Sequence, residues 1–595
     1  MPTKLTTRGR LPALVTACLL GVALPQSAIV AKEKVKPTPA ATSQLQVDYS
    51  VDIPTIDAVG ANLSNDVLSE VLSGNVADHA EELAGLDATS ISVPEITLTV
   101  TSETEEGSQE TALTFTDLLL EDVADGKAAR VSLGSVGMVT DKASFDFGTM
   151  SAANLNIAGI LGLYGLVESD QTELEIIYTD LQAEGGTLEA EEVSCTIGGM
   201  TGAQFKARPL KTSFGEMMAI SLAMEEDPET VDPALMGQFL KMYADILTAF
   251  ETSEISFDGM SCDGTTEEGQ AMNLSVAGMT MGGMSPGVYP SISMDGFDVV
   301  VDGDGSMSLE NFTVKPMDLT STIATLEAAP EMVDEAWLEA NARALIPAME
   351  GFGFSGLDID IPDPDAPDSR IQAKVGSFDL SLADYLNGIP TNLDMSAANV
   401  EAQIPENSGD DSLEQLRALG ITDINAGFRV AAAWDEATSS IDLEEVSISG
   451  VDLASVVLAG KITNAGADLF ALDPDTAMAA GMALAVKSLD LTVTDAGLSD
   501  IVLAVAAADQ DADPETLRPV FAGLAQGTVI SMMAGAADAA KLGEAINSFV
   551  SGNAKTLIIG IEAKTDPGLG MMDFMAAEED PTSLIGKVNI SAEAK

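Results

Sequence analysis

The chain has 595 residues, of which 27 are Lys or Arg and 94 are Asp or Glu, so its formal net charge at pH 7 is −67. This charge repels phosphate backbones and anionic head groups, which argues against nucleic-acid binding and against polybasic docking on a membrane. The hydrophobic fraction of 46% is too high for a disordered acidic tail. A single histidine and three cysteines argue against most histidine-based catalysis and against Cys/His zinc clusters.

The first 31 residues have the pattern of a secretory signal peptide. Basic residues precede an apolar run from Leu11 to Leu24, and small residues follow it up to Ala31. The run is too short for a comfortable membrane span, which needs roughly 20 apolar residues. We therefore predict export to the periplasm or the extracellular space, with cleavage after Ala31 or, as second choice, after Ala28. A retained N-terminal anchor is the alternative, and we predict no transmembrane span in the mature chain.

Cys18 gives the leader a second interpretation. It follows Ala17 in the loose pattern of a bacterial lipoprotein signal, but the apolar run continues well past it. A cleaved signal peptide is therefore the preferred prediction, and lipidation of Cys18 is the alternative. Residues 32–44 are rich in Pro, Lys and Thr, which predicts a flexible linker.

Beyond the linker, strand-like runs and helices alternate. Alternation of apolar and polar residues predicts strands that include Ile91–Val100, Phe297–Val301, Val446–Leu453 and Leu489–Val493, and Asp302-Gly303 is typical of a hairpin turn. Helical periodicity predicts helices at Asn62–Leu83, Pro233–Phe250, Met332–Met349, Leu413–Leu419 and Leu517–Phe549, the last as two helices. Because the strands come in clusters, we predict an α+β fold in which elongated or curved antiparallel sheets pack against helices.

An internal similarity suggests duplication. Residues 227–237 and 513–523 share six identical positions and begin with the same Asp-Pro-Glu-Thr. Two similar helix starts would explain this, because Asp caps a helix and Pro fits its first turn. The offset, 513 − 227 = 286, is close to half of the chain after the leader, so we favour two related α+β halves at 45–320 and 321–595.

The two cysteines outside the leader are predicted to form a disulfide. Cys195 and Cys262 each follow a serine in a short strand-like segment. In an oxidising compartment, two such thiols most simply pair between neighbouring strands. Two unpaired buried thiols are the alternative, and a reactive cysteine is disfavoured because no histidine lies near either residue.

Two catalytic patterns occur in the wrong context. Residues 351–356 spell the glycine pattern of a dinucleotide site, but a helix is predicted before them and a strand after them, which reverses the required order. Ser285 matches a nucleophile elbow, but its base would have to be a histidine later in the chain. The only histidine, His79, lies upstream and is predicted to be a solvated residue.

Metal sites receive only weak support. The candidates for calcium are Asp358, Asp360, Asp363 and Asp365, because hard oxygen ligands at alternate positions suit Ca²⁺. A solvated acidic loop is the preferred interpretation of that cluster. The methionines between Met272 and Met294 have a spacing compatible with Cu(I), but methionine also serves as flexible core filler. We therefore predict no cofactor.

These observations favour an exported, non-enzymatic bacterial envelope protein. Few aromatic residues and many Ala, Val, Leu and Met residues suit an adaptable apolar surface, so the expected partner is a lipid or another apolar ligand. The second expectation is a scaffold that contacts other envelope proteins. An extracytoplasmic enzyme that uses carboxylates, alone or with a divalent metal, is the alternative from a different class.

Overall fold

The computed structural model describes residues 47–104, 107–140, 143–226, 231–363, 370–404, 411–418, 420–508, 513–533, 536 and 538–595. The predicted signal peptide, Cys18 and the predicted linker lie outside these residues. The described chain from Val47 to Lys595 forms one compact unit. No helix among the described residues is both long and apolar enough to cross a membrane.

Antiparallel β-structure dominates the described chain. The first strands are β1 Val47–Asp52, β2 Asp57–Val59, β3 Ala88–Thr104, β4 Gly107–Ala124, β5 Lys127–Leu133, β6 Ser135–Val139, β7 Ala143–Phe147, β8 Met150–Asn156, β9 Glu175–Ala183, β10 Gly186–Ala190, β11 Val193–Ile197, β12 Met200–Ala207, β13 Phe250–Thr252, β14 Ile255–Phe257, β15 Met260–Thr265 and β16 Ala271–Met281. The later strands are β17 Val288–Tyr289, β18 Ile292–Val301, β19 Gly305–Val314, β20 Met317–Asp318, β21 Ala348–Met349, β22 Gly351–Pro362, β23 Arg370–Leu386, β24 Ile389–Gln403, β25 Asp423–Asp435, β26 Ser440–Gly450, β27 Ala454–Thr463, β28 Ala485–Asp495, β29 Thr556–Ala563, β30 Leu569–Gly570 and β31 Val588–Ala594.

Most of these strands belong to one sheet of 28 strands. From β16 onward, each long strand pairs with the next long strand through β18, β19, β22 to β29 and finally β31. Before β16, several positions in the sheet hold two short strands, such as β5 and β6, which both pair with β4. Strands β17, β20 and β21 form a separate small sheet. The predicted α+β fold with antiparallel sheets is confirmed at this level.

The sheet passes without a break across the predicted boundary between the halves. Strand β19 ends before residue 320 and pairs directly with β22, which begins at Gly351. Pairing across the boundary is compatible with duplicated halves that share one sheet, so the two-half organisation stays a prediction.

The helices interrupt the sheet between groups of strands. They are α1 Asn65–Leu72, α2 Ala80–Ala84, α3 Ile157–Leu163, α4 Phe214–Glu226, α5 Pro233–Ile246, α6 Thr320–Glu327, α7 Glu335–Asn341, α8 Asp411–Ala418, α9 Pro474–Met482, α10 Leu498–Ala508, α11 Pro514–Met532, α12 Ala539–Val550 and α13 Met571–Glu579. Short 3₁₀ turns lie at Ala77–His79, Ala467–Phe470 and Pro581–Lys587.

Aspartate residues start several of these helices by capping them. The side chain of Asp232 accepts a hydrogen bond from the Ala234 amide at 2.7 Å, and Asp513 accepts one from Glu515 at 3.1 Å. In both cases proline occupies the first turn, where its missing N–H costs nothing. The two related segments nevertheless start their helices at different points, because Pro519 lies inside α11.

A buried carboxylate connects β28 to the start of α10. Asp495 is 8% exposed, and its side chain accepts hydrogen bonds from the amides of Gly497 at 3.2 Å and Ser499 at 3.0 Å. Lys555 lies 3.3 Å from the same carboxylate. Burial alone would raise the pKa of Asp495. The opposite effect is larger, because the carboxylate accepts hydrogen bonds from Ser499 and Gly497 and contacts Lys555, and the pKa is lowered to about 2.

We expect Asp495→Asn to lower the free energy of unfolding at pH 7 by roughly 2 kcal/mol. This figure follows from the difference between the ordinary pKa of 3.8 and the folded-state pKa of about 2. Because the folded-state pKa is the lower one, this stabilisation is present above about pH 4 and is lost as pH falls toward 2. Urea unfolding of both proteins across this range measures the difference. The control is Asp490→Asn on the polar face of β28, and an equal loss in both variants would contradict the role of Asp495.

Candidate apolar-ligand site

One face of the large sheet carries a continuous apolar row that crosses the strands. Residues directly opposite each other in an antiparallel pair point to the same face, so successive opposite pairs define a row on one face. This row, which we call the long apolar row, consists of Leu133, Met150, Ala183, Met200, Phe257, Met279, Met294, Phe312, Phe354, Phe378, Ala397, Phe428, Ile448, Val456, Val493, Leu557 and Ala594.

The adjacent row, on the opposite face, is polar. It is formed by the neighbours of these residues along each strand: Ser132, Ser151, Gln182, Thr201, Ser256, Thr280, Ser293, Thr313, Gly353, Asp379, Ser396, Arg429, Ser447, Val457, Thr492, Ile558 and Glu593. Only Gly353, Val457 and Ile558 depart from the pattern. The sheet therefore separates an apolar face from a polar one along these two rows, from β5 to β31.

A second apolar row runs across other positions of the strands and contains the disulfide. Its members are Val51, Leu98, Leu113, Met138, Phe145, Leu188, Cys195, Cys262, Leu274, Val299, Met307, Ile359, Ala373, Ala402 and Ile424. Cys195 and Cys262 are direct cross-strand neighbours on β11 and β15, with their Cα atoms 4.0 Å apart, and the predicted disulfide between them is confirmed.

Residues with positive φ keep the apolar side chains of one strand on the same face of the sheet. Gly296 in β18, Gly356 in β22 and Asn399 in β24 have φ values of 59°, 64° and 52°. On either side of each, the apolar positions lie three residues apart, as in Phe354 and Leu357. Strict alternation would place such residues on opposite faces, whereas a bulge shifts the alternation by one position. The bulges thus let both apolar rows share a face.

Helices pack on the apolar side chains near the two ends of the sheet. Near the first strands, Leu68 and Leu83 of α1 and α2 join a buried cluster with side chains of β3 and β4. Near the last strands, Leu542 of α12 packs with Ile559 and Ile590 of β29 and β31. Among the described residues, the clusters of buried apolar side chains include no residue of β16, β18, β19 or β22–β28.

The middle of the apolar face is therefore only half-buried. In the long apolar row, Ala397 and Leu557 are buried, Ile448 is 61% exposed, and the other side chains are intermediate. Ring stacking stabilises the centre of the row, where the ring centroids of Phe354 and Phe378 lie 5.4 Å apart. Large contiguous apolar surfaces are uncommon on proteins in water, so this face is the candidate interaction surface.

The polar face is held by cross-strand ion pairs. Arg429 of β25 bridges Asp394 of β24 and Glu445 of β26, each at 2.8 Å. The Arg429 guanidinium holds the pKa of Asp394 below its usual range. The pKa of Glu445 is lowered first by the Ser447 hydroxyl and then by Arg429. These charges lie on the side of the sheet away from the apolar rows.

The calcium candidates are mostly engaged on the polar face. Asp358 pairs with Lys374 at 2.6 Å, and Asp360 pairs with Arg370 at 2.5 Å. Arg370, followed by Gln372, holds the pKa of Asp360 below its usual range, while Asp358 raises the pKa of Lys374. Asp363 follows β22, and Asp365 lies outside the described residues. Within the described ranges, no group of three or more His, Cys, Asp or Glu side chains is placed to hold a metal ion.

The other motifs take structural places. The glycine pattern at 351–356 is part of strand β22, and the next element in the described part of the chain is strand β23. Ser285 forms an isolated bridge with Val288 in a turn. His79 contacts Glu82 at 2.7 Å and Glu70 at 2.9 Å, and these carboxylates raise its pKa. Met279 and Met294 face each other in the long apolar row, which accounts for the methionine-rich stretch.

Comparison with known proteins gives a match to part of the chain. Residues 447–595 match a family model described as an uncharacterized protein. The matched segment begins within β26 and includes α9–α13 with the last strands of the sheet. No curated protein and no solved structure matches this chain. The geometry of the apolar face therefore carries the functional argument.

Proposed function

We propose that this chain is an exported, non-enzymatic bacterial envelope protein that binds the hydrocarbon chains of lipids on the apolar face of its sheet. The long apolar row carries the proposal, because most of its side chains are only half-buried and its central strands lie outside the buried clusters. Leaving such a surface in water costs free energy in proportion to its area, which a bound apolar ligand would recover.

The chemistry of the face favours hydrocarbon over a peptide. Every residue of the long apolar row lacks a hydrogen-bonding side chain, and the backbone groups of the central strands bond to neighbouring strands. A peptide laid on this face would leave its own amides without partners, and each unpaired buried amide costs about 1–3 kcal/mol. An acyl chain has no such groups, so it gains from burial without that loss.

The length of the row suits more than one lipid. Its 17 residues are separated by 17 − 1 = 16 inter-strand steps of about 4.8 Å, or roughly 77 Å along the sheet. The acyl chains of one bilayer leaflet extend about 15 Å, half of the ~30 Å hydrocarbon core. Several lipids could therefore lie side by side along the face, which suits a carrier or a lipid-binding surface in an aqueous compartment.

The N-terminal sequence supports the location. A basic start, a short apolar run and small residues up to Ala31 favour export and cleavage, so we propose the periplasm or the extracellular space. The similarity between residues 227–237 and 513–523 supports an origin of the sheet by duplication. The scaffolding role and the carboxylate- or metal-dependent enzyme stay predictions from the sequence, and hydrolase assays with and without EDTA would test the enzyme.

Native mass spectrometry of the protein purified from a bacterial envelope fraction tests this proposal. We expect additional masses of lipid size that are lost on denaturation, and extraction should recover acyl lipids. The denatured mass should correspond to a chain from Lys32 to Lys595 less the two hydrogens of the disulfide. A protein that carries no lipid and takes up none from vesicles of phosphatidylethanolamine and phosphatidylglycerol would contradict the proposed function.

A further inference from the structure

A cavity of about 390 Å³ lies between the end of the apolar face and helices α10, α11 and α12. Val493 on β28 lines it and also belongs to the long apolar row, where it faces Val456 and Leu557. The helices contribute Leu503, Phe521 and other apolar side chains to its wall. The cavity is therefore a covered continuation of the apolar face, and its volume is within the range of small-molecule sites.

The wall offers little for a polar ligand. Asp495 is the ionisable residue that lines the cavity, and its carboxylate already accepts hydrogen bonds from Gly497 and Ser499 and contacts Lys555. A polar group brought into the cavity would lose its water without gaining a free partner there, which costs free energy. The mouth is also apolar, since Phe521 is 37% exposed and Val502 is 57% exposed.

We infer that this cavity receives the methyl end of an acyl chain that lies along the apolar face. This inference rests on the function proposed above and adds the position of one end of the ligand. The acyl chain runs over the last strands of the sheet, and its methyl end lies beneath α11. The helices shield the tail from water where the open sheet cannot. The site should therefore distinguish chains by length, because only a long chain reaches from the sheet into the cavity.

The test compares a variant that fills the cavity with one on the outside of the same helix. Ala525 is half-buried and lines the cavity, whereas Thr528 is exposed, so we compare Ala525→Trp with Thr528→Trp in the full chain. The probes are lysophosphatidylcholines with decanoyl or stearoyl chains, used below their micelle concentrations, and titration calorimetry measures their affinities. We expect Ala525→Trp to weaken stearoyl binding roughly tenfold and to leave decanoyl binding within about twofold, because only the longer chain loses buried methylene groups.

The outcomes separate the cavity from the proposed function. Stearoyl binding that is unchanged in Ala525→Trp, or both chain lengths weakened equally, would overturn the cavity assignment and leave binding on the sheet intact. No binding of either probe to the unmodified chain would contradict the proposed function itself. Ala525→Leu fills less of the cavity and serves if the tryptophan variant does not fold, as judged by thermal unfolding without ligand. It should weaken stearoyl binding alone, and unchanged affinity would again overturn the assignment.

Discussion

Phe378→Asp is expected to reduce the amount of lipid that co-purifies with the protein by at least tenfold while the protein stays folded. Phe378 lies near the middle of the long apolar row, half-buried between Phe354 and Ala397. A carboxylate at this position would have to lose its water under a bound acyl chain, which is costly without a partner. The structural cost is limited because the residue is outside the buried clusters. We expect the free energy of unfolding to fall by about 1–2 kcal/mol, mainly because the variant loses the ring stacking and the partial burial of Phe378.

The matched control is the preceding residue on the same strand. Ser377→Asp introduces the same charge on the polar face, where Ser377 is exposed, and should change neither lipid content nor stability. Lipid extraction with phosphate analysis, together with thermal unfolding, measures both effects. If the central face were instead a packed core, Phe378→Asp would unfold the protein. Removing a buried aromatic side chain from a core lowers the free energy of unfolding by roughly 3–5 kcal/mol. Equal lipid contents in the two folded variants would contradict binding on this face.

Removal of the disulfide should produce the largest loss of stability. Cys195 and Cys262 close a loop of 67 residues, and chain entropy predicts that such a crosslink stabilises the folded state by about 4 kcal/mol. Both cysteines are buried in the second apolar row, at 6% and 8% exposure, so the stabilising link lies within the apolar face. We therefore expect the double variant Cys195→Ala/Cys262→Ala to unfold at clearly lower urea concentration.

Chemical reduction provides the control for this prediction. Dithiothreitol should lower the stability of the unmodified chain toward that of the double variant and should leave the double variant unchanged. Unfolding that is insensitive both to the substitutions and to the reductant would show that strand pairing around β11 and β15 does not depend on the crosslink.

Local patterns in the sequence predicted many strands correctly. Leu489–Val493 lies within β28, Ile91–Val100 lies within β3, and the turn at Asp302-Gly303 joins β18 to β19 with Gly303 at φ 77°. These elements were predictable because alternation and turn residues are local properties. The pairing of Cys195 with Cys262 was predictable because two thiols favour a disulfide in the oxidising compartment to which the sequence predicts export.

The apolar face depends on register, which local patterns do not contain. Phe354 and Phe378 become neighbours only because β22 and β23 pair with that offset, and a slip of one residue would have placed one of them on the polar face. The bulges at Gly296, Gly356 and Asn399 conceal the pattern further, since apolar residues three apart do not resemble a strand. The sequence of each strand contains its own apolar positions, but it does not show that these positions form continuous rows across the sheet.

Several helix predictions were wrong, because a turn, a proline or strand pairing interrupts the predicted helix. The predicted helix at Asn62–Leu83 is broken, because the chain leaves α1 at Ser73 and passes through Gly74 with φ 107°. In Met332–Met349 only Glu335–Asn341 is α-helical, and Pro347 disfavours helical conformation in the residue before it. Residues 248–250, predicted to continue a helix, instead lead into β13, which pairs with β12.

Photo-crosslinking tests the central claim most directly. A benzoylphenylalanine placed at Phe378 reacts with whatever hydrocarbon lies against the apolar row, whereas one placed at Ser377 samples the opposite face of the same strand. We predict that irradiation of the protein in a bacterial envelope fraction gives a lipid adduct, detected by mass spectrometry, at position 378 and none at position 377. Adducts with protein alone at position 378, or equal lipid adducts at both positions, would contradict a lipid-binding face.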